Sequence, residues 1–209
     1  MGKYSSKGLY SNYKKKADKE REVLDYYATP PSEVLNILKE LDIDFNNKSI
    51  LEPCCGGMHM ALGVQNYIEE KNYKIKEKII CTDIKDREIC EGIDMSLFKK
   101  QIGADFLQDD YPYEADIVIM NPPYSIYEPF LMKAVEISRE YLIVLARTQA
   151  SEGEKRYLNI YEKNPPTDIY QYVDRIACFK NGDFSLPPQS VQAYAWFVWN
   201  KKKKDNKKS

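Results

Sequence analysis

Asn121-Pro122-Pro123-Tyr124 follows the apolar run Ile117-Val118-Ile119-Met120, and its residue types suit one kind of chemistry. The apolar run predicts a central strand, and two prolines stop it at its carboxyl end. Proline has no N–H, so the carbonyls of Asn121 and Pro122 are expected to face outward and take a ligand's protons. Tyr124 adds a flat stacking surface directly after them. Two oxygen acceptors and a ring are what a planar group bearing an NH₂ requires. An amine conjugated to a ring is a weak nucleophile because its lone pair is delocalised. Accepting both of its protons draws the nitrogen toward tetrahedral geometry and frees that pair. Such a site works by position and fixed dipoles, without a cysteine nucleophile or a strong base. Asn-Pro also builds ordinary turns, but two prolines and an aromatic at a strand end favour the chemical reading.

Three further segments offer ligand contacts. Glu52-Pro53-Cys54-Cys55-Gly56-Gly57 runs from an apolar strand into glycines ahead of a helix, a turn that lets a ligand approach backbone amides. The full dinucleotide pattern G-x-G-x-x-G is missing. Glu52 suits a ligand with a cationic amino-acid moiety better than a pyrophosphate. Asp83, followed by Ile84, ends the second apolar strand, where a carboxylate can accept from both hydroxyls of a ribose or cap the next turn. Asp105-Phe106 could present an edge and a face to an adenine, or simply make a strand-end turn.

The elements that must position these groups alternate strand and helix. Thr29-Pro30-Pro31 reads as a helix start, with Thr29 as cap and proline in the first turn; Val34, Leu35, Leu38 and Leu41 follow at helical spacing. Strands are expected over residues 49–54, 78–84, 104–107, 115–120 and 141–146, with helices around Met60–Ile68 and Phe130–Ile137. This alternation, with short continuous apolar strands, predicts an α/β fold with a mostly parallel sheet covered on both faces. Residues 169–179 and 194–199 are β-rich with no room for a crossover helix, so they are expected to pair antiparallel.

The 209 residues suit one domain: a basic arm over residues 1–22, the domain itself over 23–200 and a basic tail over 201–209. Apolar residues at 43% and aromatics at 12% exclude a disordered chain. Residues 1–22 carry seven basic and three acidic side chains, and residues 201–209 six lysines and one aspartate. Of 31 basic and 32 acidic residues, 18 and 28 remain between, so an acidic body lies between basic ends that could hold phosphates. The longest apolar runs, such as residues 141–146, are far short of the ~20 residues of a membrane span. Without an apolar leader the expected location is cytoplasmic. Five cysteines form no C-x-x-C pair and His59 is the sole histidine, so no metal site is expected.

Taken together these residues resemble the amino-methyltransferases of the Rossmann-like S-adenosylmethionine class, nearest the small adenine methyltransferases with an Asn-Pro-Pro-Tyr/Phe motif. Tyr27-Ala28-Thr29-Pro30-Pro31 resembles that family's segment ahead of the first strand, and the tract from Arg147 through Glu152-Gly153 and Arg156 to Arg175 and Phe179 resembles its continuation after the fifth strand. The resemblance covers roughly residues 26–200. One departure is that Gly57 stands one position early, with Met58 where the family has its second glycine. The resemblance implies a class I methyltransferase fold, a mostly parallel seven-stranded sheet with an antiparallel C-terminal hairpin. It implies S-adenosyl-L-methionine as cofactor, bound by Thr29, Glu52, Pro53, Cys54, Gly56, Gly57, Asp83, Ile84, Asp105, Phe106 and Asn121. Asn121, Pro122, Pro123 and Tyr124 would be catalytic, and Arg147, Lys155 and Arg156 would contact nucleic acid. The implied reaction is adenine-N6 methylation of DNA. An RNA base amine and a catalytically silent binding module are the alternatives, and a protein glutamine ranks lower.

Overall fold

The computed structural model of the chain describes residues 26–180, 182–185 and 192–205, and so does not describe the basic arm over residues 1–22. A seven-stranded sheet organises it. Its strands are β2 (Ile50–Glu52), β3 (Ile79–Asp83), β4 (Phe98–Ile102), β5 (Ala115–Met120), β6 (Ser138–Arg147), β7 (Asp168–Gln171) and β9 (Tyr194–Asn200), in the order β4-β3-β2-β5-β6-β9-β7. Pairs from β4 to β6 are parallel; β9 is antiparallel to both β6 and β7. A separate two-stranded piece joins β1 (Tyr27–Ala28) to β8 (Phe179–Lys180).

Strand alternation sorts the core into two layers. Ile117, Ile119, Ile143, Leu145, Trp196 and Val198 face helices α1 (Pro31–Leu41) and α2 (His59–Lys71). Val118, Met120, Leu142, Val144, Phe197 and Trp199 face α3 (Tyr127–Ile137). Because both faces are covered, the central strands read as unbroken apolar runs.

Helix α1 begins at Pro31 with Pro30 in the cap position and no side-chain cap. Thr29 is therefore not the cap expected of it; its hydroxyl turns toward the site instead. α1 lies close against α2: a Cβ built on Gly63 would come within 2.5 Å of Val34 Cβ and 2.6 Å of the Pro31 carbonyl. The third strand also differs from expectation. It runs Phe98–Ile102, and residues 104–107 form the turn beyond it. This edge strand buries only Phe98 fully, so its lysines hide the apolar signal. The β-rich stretch 169–179 divides as well: β7 pairs with β9, Tyr170 opposite Trp196, while Phe179 detours to pair with Ala28. The C-terminal strands are thus antiparallel neighbours joined by a long connection rather than a tight hairpin.

The first part of the basic tail is a short helix, α4 (Lys201–Asp205). Lys201 Nζ donates to the carbonyls of Val135 and Ser138, Lys202 pairs with Glu140 at 2.7 Å and Lys203 with Asp168 at 3.0 Å. These lysines have internal partners instead of forming a free arm. No helix among the described residues is long and apolar enough to cross a membrane, and no group of metal-ligating side chains occurs among them.

Candidate active site

The chain leaves β2 toward β3 and β4, then returns to the other side of β2 as β5. Loops from neighbouring strands diverge at such a reversal and leave a crevice at the carboxyl edge of the sheet. Glu52 ends β2, Asp83 ends β3 and Asn121 directly follows β5, so all three arrive there. An open cleft results, lined by Pro53, Cys54, Asp83, Ile84, Asp105, Phe106 and by Asn121 through Tyr124. A smaller pocket adjoins it, with Thr29, Glu52, Cys54 and Asn121 in its wall.

The Asn121 amide is held from the N-terminal side. Its Nδ2 donates to the Tyr27 carbonyl at 3.1 Å and to Thr29 Oγ1 at 3.1 Å. A carbonyl can only accept, so the amide orientation is fixed and Oδ1 is the side-chain atom left to accept. No described residue donates to Oδ1 or to the Pro122 carbonyl. The Asn121 carbonyl, expected to face a ligand, takes a weak hydrogen bond from the Cys54 thiol at 3.5 Å. The acceptor pair is therefore Oδ1 and the Pro122 carbonyl. Tyr124 sits beside them, its hydroxyl donating to Tyr194 Oη at 3.0 Å and its ring packed against Tyr27 at 5.8 Å. Burial holds its phenol far above the usual range, so the ring is neutral and fixed.

On the other flank, Glu52 is 3% exposed and none of the described cations pairs with it. Burial first, and then the charge of Asp83, push its carboxyl well above the usual value against the pull of the Ala61 amide. Without a counter-charge such an acid is costly to ionise. Asp83 braces the turn, accepting from Gly56 N–H at 2.8 Å and Lys85 N–H at 2.9 Å. Gly56 has φ +51°, open to glycine without strain. Met58, where a second glycine was expected, sits at φ 66° with its side chain wholly buried and opens α2. Asp105 caps its own turn through Leu107 N–H and Gln108 Nε2, at 3.0 and 2.9 Å, while Phe106 packs on Phe130 at 4.9 Å.

The three basic residues picked from sequence separate. The Arg147 guanidinium lies 4.1 Å from the centre of the Tyr124 ring. Lys155 is exposed. Arg156 Nη1 donates to the carbonyls of Gln149, Ala150 and Glu152, and Nε lies 3.5 Å from Glu128, which gives it the work of holding that turn together. Sequence reasoning passed over Tyr26 and Arg87, both of which line the cleft. Tyr26 directly precedes the segment read as donor-binding, a signal that was available; Arg87 lies in a loop without pattern.

A mostly parallel seven-stranded sheet of this order, its loops gathered at one carboxyl edge, has the fold of the class I S-adenosylmethionine-dependent methyltransferases. The family described as N-6 DNA methylase matches residues 9–152, and the chain belongs to it. No curated protein matches the sequence. Among solved structures it is similar to a proposed RNA methyltransferase of Pyrococcus horikoshii, 21% identical over 85% of this chain and 87% of that one, with a TM-score of 0.58. It is also similar to the methyltransferase subunit of a Streptococcus thermophilus type I restriction-modification system, 12% identical over 85% of this chain and 45% of that one, TM-score 0.59. At such identities the likeness is one of fold. S-adenosylmethionine is the family's donor, and the site fits it: a buried acid that no described cation pairs with, a carboxylate at the end of β3, and an open cleft beside them.

Proposed function

We propose that this methyltransferase acts on the N6 amine of adenine in DNA. S-adenosylmethionine supplies a methyl group on a positively charged sulfur. Asp83 and Phe106 would hold its adenosine half, Glu52 its ammonium, and Thr29 would border the smaller pocket. The observation that carries the acceptor assignment is the Asn121 amide, with both N–H groups committed to Tyr27 and Thr29. That leaves Oδ1 and the Pro122 carbonyl to accept the two protons of one NH₂, while the Tyr124 ring fixes its plane. Adenine presents such an amine on a flat ring, and a duplex adenine must leave the stack to reach it. The family's own description and the type I subunit of similar fold support DNA as the carrier. Lys155 and Arg147 would contribute the phosphate contacts.

The test is transfer of labelled methyl to unmethylated DNA, followed by digestion to nucleosides; the label is expected in N6-methyladenine. Label in RNA with none in DNA overturns the assignment in favour of an RNA base amine, and no label in either favours a silent binding module. Asn121→Ala should lose about 10²–10³-fold in rate, with S-adenosylhomocysteine binding kept. Equal loss of both would make Asn121 structural.

A further inference from the structure

The glycine loop between β2 and α2 has little left to offer a ligand. Cys55 N–H donates to the Thr82 carbonyl at 3.0 Å, Gly56 N–H to Asp83 at 2.8 Å and Met58 N–H to the Cys55 carbonyl at 2.7 Å. Those three bonds hold the loop to β3 and make its turn, so none can open without undoing it. The fourth amide, Gly57 N–H, donates to the Tyr26 hydroxyl at 2.9 Å. Here the acceptor is a phenol from the segment ahead of α1, outside the loop and β3, and it can rotate away without breaking the turn.

Tyr26 lies across the loop. Its ring reaches within 2.0 Å of the place a Cβ on Gly56 would take, so only glycine admits it. Its hydroxyl is also bonded to His59 Nδ1 at 2.9 Å, and the Arg87 guanidinium covers its ring 4.6 Å from the centre. Tyr26 lines both the large cleft and the small pocket beside Glu52, standing between the place for an adenosine and the place for an ammonium. Neither Gly56 nor Gly57 lines either pocket. An amino acid whose ammonium meets Glu52 must set its carboxylate nearby, and the amide and guanidinium able to receive it are the two groups Tyr26 engages.

We propose that Tyr26 occupies the donor's carboxylate subsite, its hydroxyl holding Gly57 N–H until a carboxylate displaces it. Donor affinity is then set by a competition inside the chain. This rests on the donor assignment above, and the experiment separates the two. S-adenosylhomocysteine and 5′-methylthioadenosine, which lacks the amino-acid half, are titrated calorimetrically into wild type and Tyr26→Phe. Tyr26→Phe removes one competing hydrogen bond and should bind S-adenosylhomocysteine about fivefold tighter, with methylthioadenosine unchanged. Weaker or equal S-adenosylhomocysteine binding overturns the proposal, since the hydroxyl would then support the donor or ignore it. Equal tightening of both ligands also overturns it, because the tyrosine would be obstructing the cleft as a whole. Tyr26→Leu, which removes hydroxyl and ring together, repeats the comparison should the phenylalanine variant fold poorly. Wild type that binds neither compound overturns the donor assignment itself.

Discussion

In the function proposed above, Asn121 and Glu52 divide the labour of the site between hydrogen bonding and charge. Asn121 is oriented by fixed acceptors, which leaves its oxygen open to a donor; Glu52 is buried where its ionised form is costly. The second choice carries a stability cost that can be measured. Because the folded-state pKa of Glu52 is raised, its contribution to stability is whole below the unfolded value near 4.5 and is lost as pH rises toward the folded one. Glu52→Gln, neutral at every pH, should therefore be more stable than wild type at pH 8 and hardly different from it at pH 4, read from urea denaturation at the two pH values. The same change should weaken S-adenosylhomocysteine binding about tenfold by removing a charge-assisted contact to its ammonium. A variant that is no more stable at pH 8 would mean that the carboxylate already has a counter-charge. The motif residues were legible because chemistry restricts their types. Tyr26 carries a weaker signal: its place directly before a binding segment points to the site, but an aromatic there reads equally well as core, and its 2.9 Å bond to Gly57 N–H decides between the two.

At the scale of elements, legibility followed burial. Strands β5, β6 and β9 are covered on both faces and stand out as apolar runs, whereas β4, at the sheet edge, follows Phe98 with two lysines and a glutamine, and the apolar pattern points to residues 104–107 instead. Residues 172–178 were expected to continue a strand, but the partner that Phe179 finds is Ala28, more than 140 positions away, and no local pattern encodes that pairing. The packing of α1 on α2 matters to the site because the Thr29-Pro30 entry to α1 delivers the hydroxyl that holds Asn121. Gly63 permits that approach. By helix propensity alone, Gly63→Ala would stabilise α2 by about 1 kcal/mol. The new methyl would instead meet Val34 Cβ at 2.5 Å and the Pro31 carbonyl at 2.6 Å, one a backbone atom and the other a branch point, and neither can swing aside. The net outcome should be a loss of about 1–3 kcal/mol in urea denaturation, with methyl transfer falling as Thr29 shifts from Asn121. Unchanged stability would show that α1 can move outward freely.

Across the whole molecule, the registers separate two edges. Asn121 and Arg147 lie at the carboxyl ends of β5 and β6, while β9 runs the other way, so its last residue, Asn200, pairs with Tyr141 near the start of β6. The lysines that follow therefore leave from the edge opposite the cleft. There Lys201 donates to the carbonyls of Val135 and Ser138, at the carboxyl end of α3. A cation at a helix carboxyl terminus offsets the partial negative charge of those groups. Lys201 is thus a fastening between β9 and α3, far from any phosphate of a base seated on Tyr124. Lys201→Met, which keeps the stem and removes the charge, should cost about 1–2 kcal/mol in urea denaturation. If its place is structural, the slope of log affinity for DNA against log salt should stay within about half a unit of wild type, whereas a lost phosphate contact would reduce it by nearly one. A shallower slope with unchanged stability would return Lys201 to the nucleic-acid surface and require DNA to reach the far edge of the sheet.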